Sequence, residues 1–252
     1  MSVRFKMQNV SRLYVRVNAR RAEAVAALDG VDLEIADHRI SGIIGDSGAG
    51  KSTLARILLG MEAADHGRIW YKGQPYPGCL SRSFRKENQL VLQNPLLAVN
   101  PHFSVQQIIG EPLLIEKQPR QEIHRRVLRV LERLGMTERF LRRDPGELSA
   151  GELQRVVVAR ALILEPEFLI LDEPFSALDD ITATRLIIDL KTIIRQTGIG
   201  SLFISHNLRH IRYLADDVAV IRSGKIVERQ PNRAFFTAPQ QEYSKKLLAL
   251  LD

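Results

Sequence analysis

The sequence predicts an α/β fold: a largely parallel sheet under covering helices, with an antiparallel β subdomain and an inserted α-helical subdomain. Three observations lead there. Short apolar runs such as Ile40-Ser41-Gly42-Ile43-Ile44, Phe168-Leu169-Ile170-Leu171 and Ser201-Leu202-Phe203-Ile204 alternate with helically spaced segments such as Thr53 to Leu59. Arg4 to Leu33, broken by a charged loop at Asn18-Ala19-Arg20-Arg21, reads instead as antiparallel strands, as does Gly67-Arg68-Ile69-Trp70-Tyr71. From Val105 to Ala161 the period turns helical, with Ile123, Val127, Val130, Leu131 and Leu134 on one face and Arg125, Arg126, Arg129 and Arg133 on the other. That basic face reads as a solvated helix surface.

The 252 residues fit one domain, with a core over about 1–94 and 162–225, a helical subdomain over about 95–161 and a tail over 226–252. Cys79 is the only cysteine, which excludes an internal disulfide and a cysteine metal cluster and fits a reducing compartment. The opening Met1-Ser2-Val3-Arg4-Phe5-Lys6 lacks the apolar core of a secretory signal, and no run is long and apolar enough to span a bilayer. Membrane association is therefore expected only through a partner. The +7 charge, 36 Lys and Arg against 29 Asp and Glu, suits phosphate ligands, anionic lipid or nucleic acid and does not choose among them.

Gly45-Asp46-Ser47-Gly48-Ala49-Gly50-Lys51-Ser52 matches G-x-x-x-x-G-K-[ST], the phosphate-cradling P-loop. It lies between an apolar strand and a helix, which is the context the motif requires. Its glycines let backbone N–H groups and a helix N-terminus converge on an anion. Lys51 is expected to reach the outer phosphates, Ser52 the Mg²⁺, and the contact set to extend to Thr53. A second element, Phe168-Leu169-Ile170-Leu171-Asp172-Glu173-Pro174, ends a buried strand in two acids. Strand ends are where α/β folds place ligands. Beside a P-loop, Asp172 is expected to hold Mg²⁺ and Glu173 to polarise the attacking water.

Between these elements stands Pro145-Gly146-Glu147-Leu148-Ser149-Ala150-Gly151-Glu152-Leu153-Gln154-Arg155, followed by the apolar Val156 to Leu162. Here the chain resembles the ATP-binding-cassette ATPases, whose signature, usually Leu-Ser-Gly-Gly-Gln, falls on Leu148 to Glu152. The motif order agrees along essentially the whole chain: P-loop, Gln93, signature, Asp172-Glu173, Ser176-Ala177-Leu178-Asp179, and His206 after a strand. The resemblance implies a P-loop NTPase core of the RecA-like type.

It also implies roles. Family members dimerise head to tail around two ATPs, each bound between one subunit's P-loop and the other's signature. Ser149 and Gly151 would face the γ-phosphate of the partner's ATP. Ser149 and Glu152 also spell the S-x-x-E of a capping box, which would use the same hydroxyl. Gln93 would sense Mg²⁺ or the lytic water, His206 would orient that water with Glu173, and Asp179 would act across the dimer. Tyr14 is the candidate for the ring that stacks on adenine. Ala150 and Glu152 depart from the signature by a methyl group and a negative charge beside a phosphate, so an asymmetric heterodimer with unequal sites is expected.

Gln93-Asn94-Pro95-Leu96-Leu97-Ala98-Val99-Asn100-Pro101 resembles the glutamine loop of the peptide and nickel importer branch, and Val25-Ala26-Ala27-Leu28-Asp29-Gly30-Val31, Gly224-Lys225-Ile226-Val227-Glu228 and Pro239-Gln240-Gln241-Glu242-Tyr243 are similar too. Because the larger peptide-importer ATPases carry a longer tail, the resemblance implies the short ATPase of a nickel, metal-chelate or short-peptide importer. It would lie peripherally on the cytoplasmic membrane face with two permease subunits, a second ATPase and, indirectly, an extracytoplasmic binding protein. An exporter ATPase ranks second. A nucleic-acid or ribosome function ranks third, since Lys51 to Ser149 holds no long coiled coil and the chain has one cassette, so no nucleic acid is expected.

Overall fold

Two sixteen-residue strands, β1 (Val3–Asn18) and β2 (Arg21–Ala36), open the chain, and the apolar β3 (Ile40–Ile44) runs into α1 (Lys51–Leu58). There follow β4 (His66–Tyr71), β5 (Gln74–Pro75), α2 (Arg82–Glu87), β6 (Asn88–Val91), α3 (Val105–Ile115), α4 (Arg120–Arg133), α5 (Ala150–Leu162), β7 (Phe168–Asp172) and α6 (Asp180–Thr197). The chain closes with β8 (Gly200–Ile204), α7 (Leu208–Leu214), β9 (Asp217–Arg222), β10 (Lys225–Pro231), α8 (Asn232–Thr237) and α9 (Glu242–Leu248). The computed structural model describes residues 2–18, 21–76, 78, 81–249 and 251, with only the backbone of 16–18 and 21–23. Ala19 and Arg20 of the charged loop, and Cys79, lie outside the described residues.

The chain divides into two compact units, Met1–Ser81 with Gly200–Asp252, and Arg82–Ile199. In the first, an antiparallel sheet runs β2-β1-β4-β5, with Phe5 opposite both Ile35 and Tyr71. The alternation of β1 puts Phe5 and Met7 into the core, and a register shift between Met7 and Val10, with Asn9 at a φ of +51°, brings Val10 there as well. Arg4, only 2% exposed, is held by Asp37 at 2.6 Å and by the Tyr71 hydroxyl at 3.0 Å, which satisfies a buried charge. The same unit runs β10-β9-β3-β8, with β3 parallel to both β8 and β9. Every residue of β3 and β8 is buried, which explains why both read as unbroken apolar runs. A Cβ on Gly42 would stand 2.9 Å from the Cβ of Ala215, so this glycine lets the chain after α7 close onto β3.

In the second unit β6 pairs parallel with β7, Val91 opposite Leu171. The helices of this unit follow the sequence pattern. Ile123, Val127, Val130 and Leu131 of α4 are buried, while Arg125 pairs with Glu122 at 2.7 Å and Arg126 with Glu165 at 3.0 Å. The basic face of α4 is thus spent partly on local ion pairs. The α5 helix is buried over most of its circumference, and its Arg155 donates to Asp189 at 2.5 Å and to the Leu134 carbonyl at 2.6 Å. Among the described residues, no helix is long and apolar enough to cross a membrane.

Candidate nucleotide site

The glycine-rich loop leaves β3 and enters α1, and its glycines are needed for different reasons. A Cβ on Gly45 would lie 2.1 Å from the Ile221 carbonyl oxygen, and one on Gly50 2.1 Å from that of Ala27, so at both places backbone passes too close for any side chain. Gly48 has open space around it but a φ of +78°, which favours glycine on backbone grounds. Gly50 is the N-cap of α1 and no side chain caps that helix. An anion in the loop would therefore meet the uncapped end of a helix dipole. The buried Lys51 folds back over the loop, its Nζ donating to the carbonyls of Gly45 at 2.8 Å and Asp46 at 2.9 Å. Asp46, Ser47 and Gly48 are exposed, Ala49 and Thr53 are buried and Ser52 is half-buried. This is a cradle, built with its cation in place, that fits a phosphate chain.

Tyr14 and His206 belong to the same unit. The Tyr14 hydroxyl donates to Glu62 at 2.5 Å and lies 3.4 Å from the Thr53 hydroxyl on α1. The Arg12 guanidinium stands 5.3 Å from the Tyr14 ring centroid and also binds Glu62 and Asp65. An adenine stacking on Tyr14 would take the ring face opposite Arg12. His206 is exposed just past β8, and the Ser205 N–H donates to the Ile43 carbonyl at 3.1 Å. The P-loop and His206 thus follow neighbouring parallel strands at the same end.

The second unit repeats this arrangement. Gln93 is exposed just beyond β6, and Asp172 closes its parallel neighbour β7 with Glu173 following. Asp172 and Glu173 are 8% and 9% exposed. Glu173 has a φ of +52°, a left-handed backbone rare for a residue with a side chain, and its carbonyl accepts from the Ser176 N–H at 3.3 Å and hydroxyl at 3.0 Å. Such strain is held in place by its surroundings and concentrates at functional sites. The Ser52 hydroxyl, Asp172 carboxylate and Gln93 amide are hard oxygen donors of the kind that suit Mg²⁺.

At the signature the capping box is formed. Glu152 N–H donates to the Ser149 hydroxyl at 3.3 Å, and Ser149 N–H to the Glu152 carboxylate at 2.8 Å. That N–H holds the Glu152 carboxyl below its ordinary range against a smaller opposing effect of burial, helped further by the Ser149 hydroxyl and the charges of Arg143 and Arg139. A Cβ on Gly151 would stand 2.3 Å from Thr182 Cγ2, so Gly151 also serves the packing of α5 on α6. Asp179 caps α6, accepting from Thr182 N–H at 2.9 Å and Ile181 N–H at 3.1 Å, and the Thr182 bond leads in lowering its pKa. Ser149, Gly151 and Asp179 thus each carry a structural duty in the chain itself.

Three site neighbours escaped the sequence reading. Glu62 holds Tyr14, while Tyr243 and Arg222 approach the P-loop from the far end of the chain. For Tyr243 the only signal was its place in the tail run from Pro239; for Glu62 and Arg222 there was none.

A glycine-rich loop on a parallel strand, with an inward lysine and an uncapped helix end, defines a P-loop nucleotide-binding protein. Residues 28–176 match the family model described as ABC transporter. The chain is 35% identical over 236 residues to the oligopeptide transport ATP-binding protein OppF of Lactococcus lactis, covering 92% of this chain and 74% of that one. It is 34% identical over 233 residues to the dipeptide transport ATP-binding protein DppF of Haemophilus influenzae, covering 91% and 71%. Among solved structures, cbiO1 of Clostridium perfringens, part of the ABC transporter complex cbiONQ, matches with a TM-score of 0.81 at 26% identity over 94% of this chain and 92% of that one. The chain belongs to the ABC transporter ATPase family, and its enzymatic class is that of an ATPase.

Proposed function

We propose that this chain is the ATP-binding and ATP-hydrolysing subunit of an importer of short peptides. The observation that carries this reading is its similarity, over more than nine-tenths of its length, to proteins named for oligopeptide and dipeptide transport. Those names put peptides ahead of nickel or a metal chelate, which stays as the alternative cargo. The subunit works as one half of a head-to-tail pair with a second ATPase, on the cytoplasmic face of the membrane. Two permease subunits, and through them an extracytoplasmic binding protein, complete the assembly. An exporter remains the second reading and a nucleic-acid role the third.

Lys51 and the N–H groups from Gly45 to Thr53 bind the phosphates, and Tyr14 stacks on the adenine. Ser52, Asp172 and Gln93 hold the Mg²⁺, which neutralises charge on the phosphates when bound. Glu173 accepts a proton from the attacking water while His206 orients it. Ser149 and Gly151 serve the ATP of the partner subunit, and Asp179 acts across the pair. Binding closes the pair and hydrolysis reopens it, and Gln93 with the helical segment passes that motion to the permease.

The test is to tag the Glu173→Gln chain in its native cells, purify it from solubilised membranes with Mg-ATP and identify its companions. Two permease subunits and a second ATPase are expected, with a peptide-binding protein encoded or recovered alongside. Ribosomes or nucleic acid without membrane proteins would overturn the importer reading.

A further inference from the structure

The C-terminal segment reaches the P-loop directly. The Asp46 N–H, in the first variable position of the loop, donates to the Tyr243 hydroxyl at 3.3 Å across 197 residues of sequence. The Arg222 guanidinium lies 4.7 Å from the Tyr243 ring centroid and holds the ring from one face. Burial leads in raising the Tyr243 pKa, so the hydroxyl stays neutral and able to accept. A second bond from the same part of the chain, Gly224 N–H to the Ala49 carbonyl at 3.0 Å, fixes the other end of the loop.

The helix that carries Tyr243 is itself pinned. No side chain of its own caps α9. Instead Glu228, on β10 and 7% exposed, accepts from the N–H groups of Gln240 at 2.8 Å and Gln241 at 3.0 Å, and from the Gln230 amide. Just before it, the Asn232 amide donates to the carbonyls of Ile211, Arg212 and Ala215, which anchors the start of α8 at the end of α7. A glutamate, two backbone amides and a short helix thus fix where one phenol meets the loop.

We propose that Tyr243 is a positioning residue for ATP, its hydroxyl holding the P-loop backbone at Asp46 so that nucleotide affinity depends on the docking of the C-terminal helix. The physical reason is preorganisation. A loop rich in glycine loses much conformational freedom when it closes on phosphate, and a restraint present beforehand lowers that loss. The inference rests on the chain binding ATP and is independent of cargo.

The test uses the full chain. Mg-ATP affinity is measured by displacement of a fluorescent ATP analogue, and the Asp46 amide is followed by 15N–1H correlation spectra, for the wild type, Tyr243→Phe, Glu228→Gln and the double variant. Tyr243→Phe removes one oxygen and keeps the ring against Arg222. It is expected to weaken ATP binding roughly three- to tenfold, the range of one neutral hydrogen bond, and to shift the Asp46 amide while leaving the thermal midpoint in place. Glu228→Gln should act in the same direction through α9, and the double variant should bind no worse than the weaker single one, because both act through one bond. Wild-type affinity in Tyr243→Phe, an unmoved Asp46 amide, or full additivity would each overturn the proposal. A Lys51→Ala control separates the two readings: if the wild type binds ATP no better than Lys51→Ala, the nucleotide site itself fails and the proposal with it.

Discussion

Gly151 and Thr182 are packed so closely that a methyl group on the glycine would come within 2.3 Å of the threonine's Cγ2. The contact joins the first turn of α5, where the family signature lies, to the first turn of α6, which Asp179 caps. Two motifs read separately in the sequence are therefore mechanically one object.

Gly151→Ala is expected to destabilise the chain by about 1–3 kcal/mol, the usual cost of forcing an extra carbon into a packed site. Thr182→Ser removes the offending carbon, and in the double variant it should restore most of that loss. Urea unfolding of the purified chains reads both numbers. A loss that Thr182→Ser does not recover would assign this glycine's requirement to its backbone instead.

Lys51→Ala should abolish most nucleotide affinity, because it removes the ammonium folded over the loop carbonyls of Gly45 and Asp46. Glu173→Gln should leave affinity near wild type and lower turnover in the assembled transporter by about a hundredfold or more, the usual range for a general base. Equilibrium binding and steady-state phosphate release separate the two effects. Full turnover in Glu173→Gln would remove that residue from the chemistry.

Restoring the usual signature with Ala150→Gly and Glu152→Gln should raise the ATPase rate of the assembled complex if the departures weaken the partner's site. The capping box sharpens the expectation. Glutamine can still accept the Ser149 N–H, so helix stability should change little while the negative charge at the signature, proposed to face the partner's phosphate, disappears. Phosphate release by the reconstituted complex measures this, and an unchanged rate would argue that both sites are already equal.

Glu228 gives a pH signature. Burial raises its pKa and is outweighed by neighbouring donors, the Gln240 N–H foremost and with it the Gln241 N–H and the Gln230 amide, which leaves the carboxyl lowered. A lowered carboxyl contributes stability that is complete above its unfolded pKa and is lost as pH falls through the folded one. Glu228→Gln should therefore be less stable at neutral pH by about 1–2 kcal/mol and should lose less than the wild type on acidification through and below the ordinary glutamate range. Parallel pH profiles of the unfolding free energy for the two proteins would contradict this.

Much of this was legible because local pattern and local duty coincide. The run Ile40 to Ile44 is apolar because β3 is buried on both faces, and the P-loop that follows needs its glycines within a few residues of one another. The Ser149 to Glu152 spacing announced a capping box, and the box is there. What stayed hidden depends on distant partners. Nothing near Tyr243 says that its hydroxyl meets Asp46, and nothing near Gly151 says that Thr182 fills the space a side chain would need. The left-handed backbone of Glu173 was illegible for the opposite reason, since its residue type argues against the conformation it adopts.

That conformation has an evolutionary consequence. At a φ of +52°, glycine would sit without the strain of about 1–3 kcal/mol that a side chain brings there, so Glu173→Gly is a change by which this protein could become sturdier. It would also remove the carboxylate that we propose as the general base. A laboratory selection that rewards only thermal robustness would favour glycine at this position, whereas one that also rewards ATP turnover would, on the role proposed for Glu173, keep the glutamate.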